Sequence, residues 1–315
     1  MAHTNFHNLQ KKFWGFITPL LKPFLKPFIS KFDGRRGWFA GRYINMDRYD
    51  SSVDNGCYIF GSFRNRLAFE YEIPLTNHCN LNCQTCTAFS PIAEKSFLSM
   101  EIFCRDVTRM AELYGSENIW LRMVGGEPLL HPQITQMIHL SRKLLPHALI
   151  SITTNGLLAR NMNENFYTVA KNNNIVILNS PYPPINADDI ITFLRNLGIN
   201  AFKTVENFST RKIPLDIEGT QNAKISFARC TYRCNFIVDG MISRCFYPGV
   251  IIHFNKYFKK DLKTTDKDSI DIHKHTAKDI KEFLELPMDF CRYCKNDIYE
   301  YSEWKQSSKQ ISEWT

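Results

Sequence analysis

The sequence predicts an α/β fold: a parallel sheet with crossover helices, arranged as a partial barrel or an open sheet, followed by a small cysteine-rich module. Three observations predict it. Between residues 67 and 204, strand and helix patterns alternate, and that order builds parallel sheets. After residue 229 the rhythm stops, and Phe236 to Val238 and Met241 to Ser243 flank Asp239-Gly240, a two-residue hairpin signal. The ten cysteines fall mainly into two sets: Cys79, Cys83 and Cys86, then Cys230, Cys234, Cys245, Cys291 and Cys294.

The first strand is expected over Leu67 to Leu75. There Phe69, Tyr71 and Ile73 alternate with Ala68, Glu70 and Glu72, a period of two that suits a strand near the sheet edge. A helix follows, with Ser99 as N-cap and Phe103, Val107, Met110, Ala111 and Tyr114 at helical spacing. The series then runs strand 119–124, helix 133–145, strand 148–154, helix 164–171, strand 175–179, helix 187–197 and strand 199–204. A sixth strand is expected at Lys224 to Ala228. The C-terminal module closes with a helix at 277–286, stopped by Pro287.

Composition bounds the function. The 315 residues are 44% hydrophobic and 22% charged, which excludes a fibrous or disordered chain. The formal charge of +8 is concentrated at the start. Residues 1–47 carry eight basic side chains (Lys11, Lys12, Lys22, Lys26, Lys31, Arg35, Arg36 and Arg42) against Asp33 and Asp47. The remainder is close to neutral and gives no case for a nucleic-acid partner. Residues 1–66 thus form a basic, aromatic N-terminal arm, whose Pro19, Pro23 and Pro27 prevent one continuous amphipathic helix. Its basic groups beside Phe13, Trp14 and Phe16 would suit an anionic membrane surface, but packing of the aromatics on the chain's own fold is the preferred reading. Pro19, Lys22 and Pro23 also break any export signal, so a cytoplasmic location and free thiols are expected. Cys57 and Cys104 stand apart and read as small, partly buried thiols.

Cys79, Cys83 and Cys86 occupy a loop directly after the first strand, on the rim where parallel α/β folds keep their chemistry. Three thiolates do not complete a structural zinc site without a fourth ligand. They can hold three irons of a four-iron cluster and leave the fourth iron open, and spacing alone admits either metal. Gly125-Gly126-Glu127-Pro128 follows the next strand on the same rim. With the Cys-x3-Cys-x2-Cys loop, this turn makes the chain resemble the radical S-adenosylmethionine superfamily over residues 67–228.

The resemblance implies a partial (β/α)6 radical SAM barrel, a [4Fe-4S] cluster on Cys79, Cys83 and Cys86, and S-adenosylmethionine chelating the open iron. It places Gly125, Gly126 and Glu127 at the methionine amino group. Thr154, Asn155 and Gly156 after the third strand and Ser180 after the fourth would meet ribose and carboxylate. Thr85 departs from the family, which usually carries an aromatic residue there, and implies looser packing of the adenine.

Residues 229–315 resemble a twitch domain, the shortened relative of the SPASM domain. The resemblance implies an auxiliary [4Fe-4S] cluster on Cys230, Cys245, Cys291 and Cys294, with Cys234 as a fifth candidate. Four thiolates suit zinc equally well, so that alternative stays open. The implied activity is an oxidoreductase-type one. One electron from a donor such as flavodoxin or ferredoxin starts reductive cleavage, and the 5′-deoxyadenosyl radical abstracts hydrogen from a small polar, sugar- or cyclitol-like substrate. A peptide maturase and a non-enzymatic zinc-stabilised binding protein are the competing readings. Tyr182, Asp216 and Glu218 read as surface polar residues, and no general acid or base is assigned.

Overall fold

The computed structural model describes residues 69–115, 119–183, 185–204, 210–230, 234–295 and 300–315; the arm 1–66 and Cys57 lie outside them. Five parallel strands lie side by side in chain order: β1 (Phe69–Pro74), β2 (Ile119–Val124), β3 (Leu149–Thr154), β4 (Val176–Asn179) and β5 (Asn200–Lys203). Helices α1 (Met100–Tyr114), α2 (Ile134–Leu144), α3 (Glu164–Asn172) and α4 (Ala187–Asn196) make the crossovers. Each starts where a polar side chain or loop residue ends the strand pattern. Ser99 caps α1 by accepting from the Ile102 N–H, and Asn163 and Asn186 cap α3 and α4 in the same way.

The two faces of the sheet differ by the strand period of two. Tyr71, Ile73, Leu121, Met123, Ile150 and Ile152 bury against Phe103, Val107 and Met110 of α1 and Met137 and Ile138 of α2. Their neighbours Glu70, Glu72, Arg122, Ser151 and Thr153 take the opposite face.

Beyond β5 the chain forms β6 (Thr210–Lys212), α5 (Ala223–Arg229), the hairpin β7 (Phe236–Val238) and β8 (Met241–Ser243), α6 (Tyr247–Phe258), β9 (Ile270–Asp271), α7 (Ala277–Leu284) and β10 (Glu300–Ser302). Two expectations are corrected here. Lys224 to Ala228 belongs to helix α5, because Asn222 caps it by accepting from the Ile225 N–H. The sixth parallel strand is instead β7, which joins the free side of β1 through the Glu72–Phe236 pair. Hence β1 is an interior strand, not an edge, and the sheet runs β5-β4-β3-β2-β1-β7-β8-β9. The β1 carboxylates Glu70 and Glu72 are both held by Arg122 of the neighbouring β2.

A second core forms around α6, with Tyr247, Val250, Ile251 and Phe254 packed on Phe236, Phe290 and Trp314. It also takes in Phe89 and Ile92, which follow the cysteine loop. No helix among the described residues is long and apolar enough to cross a membrane.

Candidate functional site

The ends of β1, β2 and β3 converge at one rim. After β1 the chain runs into the cysteine loop, and after β2 the turn Gly125-Gly126-Glu127 folds directly onto it. Gly126 N–H donates to the Thr76 carbonyl at 2.8 Å, and Glu127 N–H donates to the His78 carbonyl at 3.0 Å. A Cβ on Gly126 would sit 2.0 Å from the His78 carbonyl oxygen, and one on Gly125, at φ 134°, would sit 2.5 Å from that of Thr76. The paired glycines therefore let two backbones touch. In the sequence they suggested close approach to a ligand; in the structure the partner is the cysteine loop itself.

Glu127 is fully buried. Its carboxylate accepts from Thr154 Oγ1 at 2.7 Å, from Asn155 N–H at 2.9 Å and from Leu129 N–H at 3.0 Å. Burial drives its pKa up to about 7 against those three donors. The carboxylate thus ties β2 to β3. Asn155 carries the link onward, its side-chain N–H group donating to Asn80 at 2.8 Å and to Cys79 Sγ at 3.4 Å. Ser180 N–H donates to the Thr154 carbonyl at 2.9 Å, which brings the end of β4 to the same rim. Cys79, Gly126, Glu127, Thr154, Asn155 and Ser180 are therefore joined in one network of hydrogen bonds.

Within the loop, burial pushes the Cys79 thiol up to about 11 and the Cys83 thiol up to about 12, and the neighbouring cysteines add to both. Thiols that oppose one another's ionisation in this way would ionise readily beside a cationic centre. The soft donor set fits an iron-sulfur cluster bound through three thiolates. Tyr182, read from the sequence as a surface residue, is within hydrogen-bond reach of Cys83. Trp304 was not foreseen. Its indole N–H donates to Cys83 Sγ at 3.1 Å.

The later cysteines meet elsewhere. Cys230 at the end of α5, Cys245 before α6, and Cys291 and Cys294 line one cavity with Phe227, Tyr247, Met288 and Phe290. Cys234 is not in its lining. Burial raises the Cys245 thiol well above its ordinary value, with Cys294, Cys230 and Cys291 adding to it, and the Cys291 thiol to about 12, with Cys230 and Asp268 adding. Among the described residues, no group of three or more His, Cys, Asp and Glu side chains is drawn in to the spacing of a single metal ion. None of the nine described cysteines, Cys104 among them, is in a disulfide.

Asp216 also departs from expectation, because it is buried and organises the turn leading into α5. Burial opposes its ionisation, but Thr220, Gln221 and the Glu218 N–H all donate to it and hold its pKa down to about 2. Glu218 is exposed, as expected.

Below the rim, a cavity of about 190 Å³ opens on the inner face of β1 and β2. Glu72, Arg122, Thr76 and Thr87 line its polar side, and Phe236, Phe246 and Val250 line the other. Arg122 bridges Glu72 in the lining and Glu70 outside it, the latter at 3.2 Å, so the pair on the wall is neutral and the second carboxylate lies behind it. The alternation of Glu70 and Glu72 along β1 reads only as a strand period and does not point to this triad.

No protein-family model matches the chain. It is 28% identical over 162 residues to molybdenum cofactor biosynthesis protein 1 of Dictyostelium discoideum, covering 50% of this chain and 24% of that protein. It is 34% identical over 104 residues to the GTP 3′,8-cyclase of Syntrophomonas wolfei subsp. wolfei, covering 32% and 31%. The chain therefore spans about a quarter to a third of the length of these curated relatives. Among solved structures, BtrN in complex with AdoMet and 2-DOIA aligns with a TM-score of 0.47 at 14% identity, over 71% of this chain and 92% of that one.

Proposed function

Taking the chain as a member of the radical S-adenosylmethionine superfamily, we propose that it carries out a redox modification of a small polar, sugar- or cyclitol-like molecule. In this reading residues 67–228 are the core. Cys79, Cys83 and Cys86 hold a [4Fe-4S] cluster, while Gly125, Gly126, Glu127, Thr154, Asn155 and Ser180 form the S-adenosylmethionine seat. When bound, this pair of cofactors supplies a 5′-deoxyadenosyl radical able to take a hydrogen atom from an unactivated carbon. Everything else falls to the protein. Glu127 and Asn155 hold the cysteine loop against the ends of β2 and β3, and the two glycines seal the turn behind it. Residues 229–315 form a separate module, in which Cys230, Cys245, Cys291 and Cys294 hold an auxiliary [4Fe-4S] cluster suited to carrying electrons. A low-potential donor of the flavodoxin or ferredoxin class would serve both, and the free thiols suit a cytoplasmic setting.

The observation that carries the substrate class is the cavity below the rim. At about 190 Å³, it is smaller than the roughly 300–1,000 Å³ of pockets for drug-sized ligands. Its lining carries the Glu72–Arg122 ion pair and the hydroxyls of Thr76 and Thr87, and Glu70, outside the lining, also pairs with Arg122 and leaves the local charge negative, which suits a polar ligand better than a triphosphate. A neutral or cationic ring bearing several hydroxyl or amino groups matches both size and charge. The GTP 3′,8-cyclase relatives motivate the nucleotide as the competing substrate, and a peptide is the second competitor.

The test is anaerobic turnover with myo-inositol, an aminocyclitol, GTP and a cysteine-bearing peptide, scoring 5′-deoxyadenosine and the mass of each product. Substrate-dependent 5′-deoxyadenosine with a two-hydrogen mass loss from a polyol or aminocyclitol is the expected result. Stimulation by GTP or the peptide alone would replace this reading. Purified protein with zinc and no iron or sulfide would favour a metal-stabilised binding protein.

A further inference from the structure

The chain's last residues return to the cysteine loop from more than two hundred positions away. Gln84 N–H donates to the Lys305 carbonyl at 2.8 Å, Ser307 N–H donates to the Asn82 carbonyl at 2.9 Å, and Cys83 pairs with Gln306 as an antiparallel bridge. Trp314 closes the clasp, its indole N–H donating to the Cys86 carbonyl at 2.9 Å. These contacts fall where the loop is strained. Asn82 and Thr85 both hold left-handed φ, at 57° and 59°. For the β-branched Thr85 that conformation persists only when the surroundings enforce it. At the centre of the clasp, the Trp304 indole N–H points at Cys83 Sγ.

We propose that Trp304 is a positioning residue for the cysteine loop, delivered by the C-terminal segment to fix the Cys83 sulfur in place and to lower its electron density by hydrogen bonding. The inference rests on the reading of Cys79, Cys83 and Cys86 as cluster ligands. A hydrogen bond to a ligand sulfur favours the more negative, reduced cluster and so raises its potential. The electron comes from the low-potential donor, and no bond or proton changes place. Tryptophan is suited to this role because its ring nitrogen donates and does not accept.

Trp304→Phe keeps the ring and removes the N–H. The experiment compares full-length wild type and Trp304→Phe after anaerobic reconstitution, reading the midpoint potential of the cluster whose EPR signal responds to S-adenosylmethionine. The expected result is a more negative potential in the variant at equal iron and sulfide. A second measurement uses the metal-free chains, whose cysteines are alkylated with iodoacetamide and read by mass spectrometry. Cys83 labelling should rise several-fold in the variant while Cys104 labelling stays constant. An unmoved or more positive potential with iron present, or unchanged Cys83 labelling, overturns the role of Trp304 alone. Wild type that takes up no iron on these three cysteines overturns the cluster reading and this inference with it.

Discussion

The two cysteine sets differ in how they are assembled and in what surrounds them. Cys79, Cys83 and Cys86 lie within eight residues, and polar groups from distant parts of the chain reach them: Asn155 at Cys79, Trp304 and Tyr182 at Cys83. Cys230, Cys245, Cys291 and Cys294 come from three separate segments and line a cavity beside Tyr247, Met288 and Phe290. A local set supported by donors from distant segments can be tuned by them. The dispersed set lies among mainly apolar side chains, with Ser226 and Arg244 beside it. The proposed function gives reaction chemistry to the first set and electron transfer to the second.

The sharpest way to break it is to remove each set in turn. Replacing Cys79, Cys83 and Cys86 together by Ala should reduce 5′-deoxyadenosine formation more than about 10³-fold while leaving the iron of the other set in place. Persistent cleavage of S-adenosylmethionine would reject the division of labour. Cys245→Ala should lower bound iron by roughly half, on the premise of two four-iron clusters, and abolish product while slow cofactor cleavage continues. An iron count equal to wild type would show that Cys245 is no ligand.

The support of the rim set can be tested without touching a thiol. In Gly126→Ala the new methyl meets the His78 carbonyl at 2.0 Å, so the turn must move, and stability should fall by about 3 kcal/mol. Chemical denaturation measures this, and a neutral result would mean that the loop gives way freely. The smallest effect concerns the turn in front of Cys230. Asp216, held near 2, contributes stability that is complete above the ordinary carboxylate range and is lost as pH falls from about 4 to about 2. Asp216→Asn should melt about 2–4 °C lower at neutral pH, and the gap to wild type should close over that acid window. Melting curves at a series of pH values decide it; a constant gap would assign the effect to packing.

Much of the sheet was legible because strand and helix periods are local. Ser99 marks a helix start in the sequence and caps it in the structure. Helix α6 was missed because Pro248 and Gly249 at its first turn resemble a loop, although proline is well tolerated there. The direction of the β1 carboxylates was not legible because a period of two shows that two faces differ, not which one meets water. Trp304 and Trp314 carried no signal at all. Their partners lie 221 and 228 residues away, and nothing in local spacing records such a pairing.

Phe89 has a consequence for how this protein can be divided. It follows the cysteine loop by three residues and adopts φ 55°, yet its ring is wholly buried among Tyr247, Phe254 and Trp314. The heritable unit of the C-terminal module is therefore discontinuous. Recombination that transplants residues 229–315 onto another barrel leaves a hole the size of a phenyl ring unless Phe89 and Ile92 travel with it. The recipient barrel, for its part, would gain a loop register dictated by the newcomer.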